Sequence, residues 1–245
     1  MNFSFVCTFL ALSAALHAAA PAANTLSEEE QRGGWKLLWD GETDAGWRSA
    51  RSDAFPAHGW KMKEGVLSVL KSAGLEGGAG GDIVTRQKYS NFELSIDFKI
   101  TPGANSGIKY FVDSELNKGP GSSIGLEYQI LDDGRHPDAK QGRGGNRTLA
   151  SVYDLYPAAA AKKVKPIGEW NTAVIISRGP HVEHWLNGEK VVEYDRFTEA
   201  FRKAVRESKY KAWPGFGEWK SGHILLQDHG DEVHFRNLKI RELPE

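Results

Sequence analysis

The stretch Phe92-Glu93-Leu94-Ser95-Ile96-Asp97-Phe98-Lys99-Ile100 decides the fold class. Large apolar side chains occupy every second position, and acidic, basic or hydroxyl side chains occupy the positions between them. Because successive side chains on a β-strand point to opposite faces, this pattern predicts a strand with one face in a core and the other facing solvent. A core-facing helix would instead place its apolar residues three and four positions apart.

Shorter runs of the same kind occur before and after this stretch. They lie at 35–39, 60–62, 66–70, 83–85, 106–112, 124–131, 149–153, 170–177, 181–186, 190–194, 222–227 and 233–241. They lack the regular helical crossovers that parallel strands require. The chain is therefore predicted to be all-β, a jelly-roll sandwich of two antiparallel sheets.

Two short helices and one tight turn are also predicted. Ser27 and Glu30 have the spacing of a capping box at a helix start. Thr198 precedes an apolar stripe within residues 200–205, which indicates a second helix. The pair Asn187-Gly188 is the dipeptide that favours a two-residue β-hairpin turn.

The first 23 residues have the pattern of a signal peptide. An apolar run is followed by small residues near 18–20, as at a signal-peptidase site, and the run is short for a bilayer span. We therefore expect no membrane span and a periplasmic or secreted protein, with one domain over residues 33–243. Cys7, the only cysteine, lies in this leader, so thiolate chemistry is not expected of the mature protein.

The charge balance argues against large polyanionic partners. The chain has 31 basic and 32 acidic residues, a formal net charge of -1, so neither nucleic acid nor an anionic membrane is an expected partner. A small neutral ligand fits better. Eight Trp and seven Tyr residues would suit stacking on a sugar ring, although most are expected in the core.

Polar residues at the strand ends form the candidate site. Glu127 and Gln129 share one strand face, and Asp132 follows where the strand should end. A carboxylate and an amide so placed can each bond a sugar hydroxyl, and a desolvated acid could transfer protons near neutral pH. Gln227 and His229 share a face on a later strand, and His229 would complete the cluster if the two strands are neighbours.

Two further features leave alternatives open. His184 alternates with Val182 and Leu186, so it is either a core histidine or a residue that contacts ligand. The polar, Gly-rich segment 133–148 is too long for a hairpin turn. It is either a mobile excursion or a lid carrying His136 and Asp138. A carboxylate–imidazole cluster would also suit a divalent metal cation, yet no ligand spacing singles out a metal site.

The chain also resembles a known family through blocks that occur in a fixed order. The blocks are Gly46-Trp47, Asn105-Ser106-Gly107-Ile108, Glu127-Tyr128-Gln129-Ile130-Leu131-Asp132, Glu169-Trp170-Asn171, His184-Trp185-Leu186-Asn187-Gly188, Gln227-Asp228-His229-Gly230 and Phe235-Arg236-Asn237-Leu238-Lys239-Ile240. In this order they resemble the 3-keto-disaccharide hydrolase family. The resemblance implies a concanavalin A-like jelly roll that cleaves 3-keto-glycosides by C2 proton abstraction and 1,2-elimination, by hydration of the 2-hydroxy-glucal, or by both.

That chemistry assigns expected roles to the candidate residues. Acid–base roles are predicted for Glu127, Asp132 and His229. Substrate contacts are predicted for Asn105, Lys109, Gln129, His184 and Gln227. Lys109, expected on the same strand face as Phe111, would polarise the ketone oxygen.

An elimination route also agrees with an absence in the sequence. No Glu-x-Asp-x-Glu or Glu-x-Asp-x-x-Glu run occurs, although ordinary retaining glucanases of this fold use such paired glutamates. An upstream glycoside 3-dehydrogenase would have to supply the ketone, because the chain has no dinucleotide fingerprint. The alternative is a non-catalytic, lectin-like carbohydrate-binding module of the cell envelope.

Overall fold

The computed structural model describes residues 22–72, 80–116 and 121–244. The predicted signal peptide lies outside this part of the chain, apart from residues 22 and 23. Within it, thirteen strands form two antiparallel sheets, which confirms the all-β jelly-roll prediction, and two short helices accompany them. None of the described helices is long and apolar enough to cross a membrane.

The strands and helices have the following bounds. The strands are β1 (Lys36–Leu37), β2 (Trp47–Ser49), β3 (Trp60–Lys63), β4 (Val66–Val69), β5 (Ile83–Thr85), β6 (Phe92–Ile100), β7 (Asn105–Asp113), β8 (Ile124–Leu131), β9 (Asn171–Arg178), β10 (His181–Leu186), β11 (Glu189–Asp195), β12 (His223–Leu226) and β13 (Val233–Glu242). The helices are α1 (Glu28–Arg32) and α2 (Glu199–Arg206), with 3₁₀ turns at Pro137–Lys140 and Lys209–Ala212.

The core lies between the two sheets. The larger sheet has the order β11-β10-β9-β6-β13-β4-β3, with β1 beside β13, and the smaller has the order β2-β5-β12-β7-β8. Strand β6 is central, and all five of its alternating apolar side chains are buried, as its sequence predicts. Its polar positions face outward, where Asp97 accepts hydrogen bonds from Thr172 and Asn237.

Local sequence signals account for the helix starts and the hairpin. The Ser27 hydroxyl accepts from the backbone of Glu30 while the Glu30 carboxylate accepts from the backbone of Ser27, as in a capping box. Thr198 caps α2 through its hydroxyl alone, which accepts from the backbone N–H of Phe201 at 3.1 Å. Asn187 and Gly188 both have positive φ, 50° and 83°, which a type I′ turn between β10 and β11 requires.

One residue disrupts the alternation of β7. The strand pairs regularly with β8 as far as Tyr110, and the register then shifts before Asp113. Phe111 takes a left-handed conformation, φ 51°, at this bulge. Its ring therefore enters the core beside Tyr110 and Phe92, at centroid distances of 5.8 and 5.9 Å. The prediction that Lys109 and Phe111 share a face is consequently wrong.

The segment after β8 returns along the outer edge of that strand. Ala150 donates its backbone N–H to Gln129 at 2.8 Å, and Tyr153 donates to the backbone of Glu127 at 3.0 Å. The predicted strand at 149–153 is therefore present only as irregular pairing at the edge of the smaller sheet. This pairing brings Tyr153 to the outward face of β8.

Candidate active site

A small pocket lies on the outward face of the smaller sheet, with a volume of about 110 Å³. Its lining residues are Asn105, Glu127, Gln129, Tyr153, Lys209, Gln227 and His229. Five of these seven are residues that the sequence predicted as site residues. The adjacency of β7, β8 and the end of β12 brings them together.

Strand register explains how the floor of the pocket forms. Gly107 on β7 lies opposite Gln129 on β8, and Gln227 donates its backbone N–H to the Gly107 carbonyl at 3.0 Å. A Cβ atom on residue 107 would come within 2.4 Å of the Glu127 carboxylate. Glycine at this position therefore leaves the space that the Glu127 side chain occupies.

Three polar atoms of the lining residues have no hydrogen-bond partner among the described residues. They are Gln129 Oε1, Gln227 Oε1 and His229 Nδ1. The two glutamines are only 1% and 3% exposed. Buried polar atoms nearly always have partners. These atoms are therefore available to hydrogen-bond with a molecule that enters the pocket.

Glu127 is the one carboxylate among the described residues that line the pocket. It is buried, and its Oε2 atom lies 3.4 Å from the Tyr210 hydroxyl and 3.6 Å from Lys109 Nζ. Lys109 does not line the pocket. Its ammonium donates to Ser122 Oγ at 2.6 Å and to the Ser123 carbonyl at 3.2 Å. The structure therefore places Lys109 behind Glu127, and the predicted direct contact with substrate is not supported.

Asp82 continues this buried chain of charges. Its carboxylate accepts hydrogen bonds from the Ser122 hydroxyl and from the backbones of Ser123 and Asp228. Burial raises the pKa of Asp82, while the positive charge of Lys109 and these hydrogen bonds act in the opposite direction. The sequence offered no signal for Asp82, because its partners come from distant segments.

Asp132 lies outside the pocket, where it organises a loop. It accepts from the backbones of Gly103 and Gly134 at 2.8 and 3.1 Å and from the Arg135 guanidinium at 3.1 Å. Burial opposes ionisation, but these hydrogen bonds hold the pKa of Asp132 below its ordinary value. An ionised, fully bonded carboxylate is a poor proton carrier, so the predicted catalytic role of Asp132 is not supported.

His184 is a core residue. Its Nδ1–H donates to the Ala150 carbonyl at 2.9 Å, and its Nε2 accepts from the Tyr110 hydroxyl at 2.8 Å. Tyr194 in turn bonds to Tyr110. Burial lowers the pKa of His184 to about 4. The contacts thus favour the alternative of a satisfied core histidine, and they give no support to the predicted substrate contact.

Apart from Asp138, the wall of the pocket is formed by residues that the sequence did not single out. The Tyr153 hydroxyl donates to Asp138 at 2.7 Å, and Lys209 Nζ lies 4.3 Å from the Tyr153 ring centroid. Arg147 joins this wall together, because it bonds Asp138 at 3.0 Å and Asp154 at 2.8 Å. Asp154 also accepts from the Lys209 backbone at 2.7 Å.

Of the two alternatives for segment 133–148, the contacts favour a role beside the site. His136 lies with its ring 6.4 Å from that of His229, roughly at right angles. Asp138 holds Tyr153 in the pocket wall. The segment thus borders the site through these two residues, and we describe it as part of the wall.

A serine nucleophile does not fit the local structure. Gly121-Ser122-Ser123-Ile124-Gly125 matches the Gly-x-Ser-x-Gly pattern of serine hydrolases. That pattern requires a sharp turn between a strand and a helix. Here the segment leads directly into β8. The serine at the nucleophile position, Ser123, is only 2% exposed, and its backbone is bonded to Asp82 and Lys109.

A separate group of possible metal ligands lies on β10 and β11. Ligand atoms of His181, Glu183 and Glu193 are within 4.8 Å of one another. Lys190 already pairs with both glutamates, and His181 Nδ1 lies 2.8 Å from Asp195. Because a cation would have to displace the Lys190 ammonium, this cluster fits a surface ion-pair network better than a metal site.

The fold and the pocket define a jelly-roll protein with a polar pocket on its smaller sheet. The chain belongs to the family of 3-keto-alpha-glucoside-1,2-lyase-like domains, whose model matches residues 34–241. Over 230 residues it is 37% identical to a Bacteroides thetaiotaomicron protein named 3-keto-disaccharide hydrolase, covering 86% of this chain and 79% of that protein.

Solved structures agree with this assignment. A Parabacteroides distasonis protein described as a candidate glycosyl hydrolase is 33% identical, with a TM-score of 0.79 over 91% of this chain and 100% of that one. The exoplasmic/lumenal domain of VIP36 has a TM-score of 0.50 at 10% identity, covering 83% of this chain and 86% of its own. That second likeness shows the shared fold alone.

Proposed function

We propose that this protein cleaves 3-keto-glycosides by removing the C2 proton and eliminating the group at C1. The observation that carries the proposal is the single carboxylate, Glu127, among the described residues of a pocket that otherwise offers amides, an imidazole and an ammonium. Ordinary glycosidases flank the scissile bond with two carboxyl groups. Membership of the family and the names of its relatives support a ketone-dependent route instead.

A ketone at C3 makes one base sufficient to start bond cleavage. It acidifies the C2–H bond, so a base takes the proton and the electron pair moves onto the C3 oxygen as an enolate. When the enolate collapses, the C1–O bond breaks and the leaving oxygen takes up a proton. The products are the aglycone and a 3-keto-2-hydroxy-glucal, and addition of water across its C1–C2 double bond would complete a net hydrolysis.

The pocket residues can be given roles in this scheme. Glu127 and His229 form the acid–base pair, with Glu127 as the base at C2 and His229 as the donor to the leaving oxygen. The unpartnered oxygens of Gln129 and Gln227 accept sugar hydroxyls. Asn105, which accepts from Gln129 Nε2 at 3.3 Å, orients that amide.

A divalent cation would find its donors in the same pocket. Glu127, His229 and the amide oxygens of Gln129 and Gln227 are the groups that would hold it. Such an ion would polarise the ketone as a Lewis acid. Calorimetric titration of the protein with Mn²⁺ tests for this site without relying on turnover.

The second candidate function is a carbohydrate-binding module, which the same unpartnered amides favour. The test is incubation of the purified protein with a 3-keto-glucoside and with its unoxidised parent, with and without chelator. We expect aglycone release from the keto form alone. Binding without release would identify a binding module, and release from the parent would indicate ordinary hydrolysis.

Location and pathway complete the proposal. We propose export to the periplasm or beyond, on the basis of residues 1–23, and this is tested by fractionation of cells that express the full chain. An upstream glycoside 3-dehydrogenase must supply the substrate, because elimination of this kind starts from a ketone.

A further inference from the structure

We propose that Lys209 is a catalytic residue, whose ammonium binds the C3 ketone oxygen and stabilises the enolate. This inference rests on the proposed function. Lys209 is the one lysine or arginine among the described residues that line the pocket. Lys109, the other lysine near Glu127, lies behind that carboxylate and donates to Ser122 and Ser123.

The backbone fixes Lys209 close to the proposed base. Lys209 opens the 3₁₀ turn Lys209–Ala212, and its own N–H is bound by Asp154 at 2.7 Å. The next residue, Tyr210, is buried and places its hydroxyl 3.4 Å from Glu127 Oε2. Lys209, which supplies the cation, is therefore next in the chain to Tyr210, which contacts the proposed base Glu127.

The side chain of Lys209 is directed over the pocket wall. Its Nζ atom lies 4.3 Å from the ring centroid of Tyr153 and 5.2 Å from that of Tyr210. Aromatic faces attract an ammonium. These two rings thus help to place the Lys209 side chain at the edge of the pocket that Glu127 also lines.

The chemistry requires a positive group opposite the base. As Glu127 takes the C2 proton, the electron pair of the C2–H bond moves into the C2–C3 bond and the ketone oxygen becomes an enolate oxygen. A hydrogen bond from the ammonium strengthens as that charge develops, so it favours the transition state over the bound substrate. Lys209 keeps its proton throughout, and no other reactant is needed.

The test compares Lys209→Met with Lys209→Arg and with a matched control, Lys211→Met. Lys211 is an exposed lysine of the same 3₁₀ turn and lines a different groove. The readouts are the rate of C2 hydrogen exchange of a 3-keto-glucoside in deuterated water and calorimetric binding of the unoxidised parent glycoside.

We expect Lys209→Met to lose about 100-fold or more in the exchange rate at saturation, a loss typical of removing one oxyanion donor. Binding of the parent, which has no ketone, should change little. Lys209→Arg should retain part of the rate, and Lys211→Met should match the wild type. Equal exchange rates in Lys209→Met and Lys211→Met would overturn the proposal.

The controls separate this inference from the proposed function. Wild-type protein that binds the parent but neither exchanges nor cleaves the keto form would overturn both. If the wild type and Lys209→Met both exchange the C2 hydrogen at the same rate, only the proposed role of Lys209 would be overturned. If Lys209→Met does not fold, Lys209→Ala with added ethylammonium replaces it. Restored exchange would support the proposal, and exchange at the wild-type rate without the amine would overturn it.

Discussion

The Lys109 ammonium lies 3.6 Å from the Glu127 carboxylate, and the two side chains are only 7% and 4% exposed. The pair joins facing residues of β7 and β8. Asp82 reaches the same ammonium through Ser122. The base of the proposed reaction is thus part of a buried charge network whose balance depends on a lysine that does not line the pocket.

Loss of this lysine should therefore affect folding strongly. Lys109→Met leaves two buried carboxylates without their counter-charge, so we expect the free energy of unfolding to fall by about 3–5 kcal/mol. Lys63→Met breaks the exposed ion pair with Glu64. It should change the free energy of unfolding by less than about 1 kcal/mol. Denaturant unfolding of both variants checks this, and equal losses would contradict the buried-pair account.

Glu127 on β8 and Asp132, which follows the strand, should differ in their effects when they are replaced. Glu127→Gln removes the proposed base and should lower turnover by about 10²–10⁴-fold while substrate still binds. Asp132→Asn weakens a loop anchor outside the pocket and should reduce thermal stability more than turnover. Steady-state kinetics and melting curves for both variants decide the matter. The assignment fails if Asp132→Asn loses as much turnover as Glu127→Gln.

Acid should weaken the fold through His184. Its folded pKa of about 4 is below the ordinary 6.5, so the neutral form is favoured in the native state. The contribution of neutral His184 to the free energy of unfolding, about 3 kcal/mol, is complete above pH 6.5. It is lost as the pH falls toward 4. Urea unfolding between pH 7 and 4.5 should show a flatter pH dependence for His184→Gln than for the wild type. Parallel curves would rule out His184 as the titrating group.

Arg147 should act on the site through its partners. It holds Asp138, which bonds Tyr153, and Asp154, which bonds the Lys209 backbone. Arg147→Met should lower kcat/KM for the keto-glycoside at least about tenfold, because the pocket wall shifts. Arg143→Met, which breaks an exposed pair with Glu207, provides the control. Similar values for the two variants would show that the wall does not need Arg147.

Alternation in the sequence was enough to predict the sheets and to predict which polar residues share a strand face. Period two placed Glu127 and Gln129 on one face of β8, and the same rule paired Gln227 with His229. These residues meet because their strands are near neighbours in one sheet. That adjacency is a property of topology, which local patterns do not encode.

Where prediction failed, the cause was a local irregularity or a distant contact. The left-handed Phe111 reverses the alternation of β7, and no sequence signal marks that bulge. Asp132 is saturated by N–H donors from loops on both sides of it. The pocket wall depends on contacts such as Tyr210 with Glu127, 83 residues apart. Contacts of that range become visible only once the chain has folded.

The most direct test of the central claim is the kinetic isotope effect with a 3-keto-glucoside deuterated at C2. If Glu127 removes the C2 proton before the C1–O bond breaks, the wild type should release aglycone more slowly from the deuterated substrate, or exchange its label with solvent before release. Glu127→Gln should release aglycone, and exchange the label, about 10²–10⁴-fold more slowly than the wild type. Aglycone release with no isotope effect and full retention of the label at C2 would contradict the elimination mechanism.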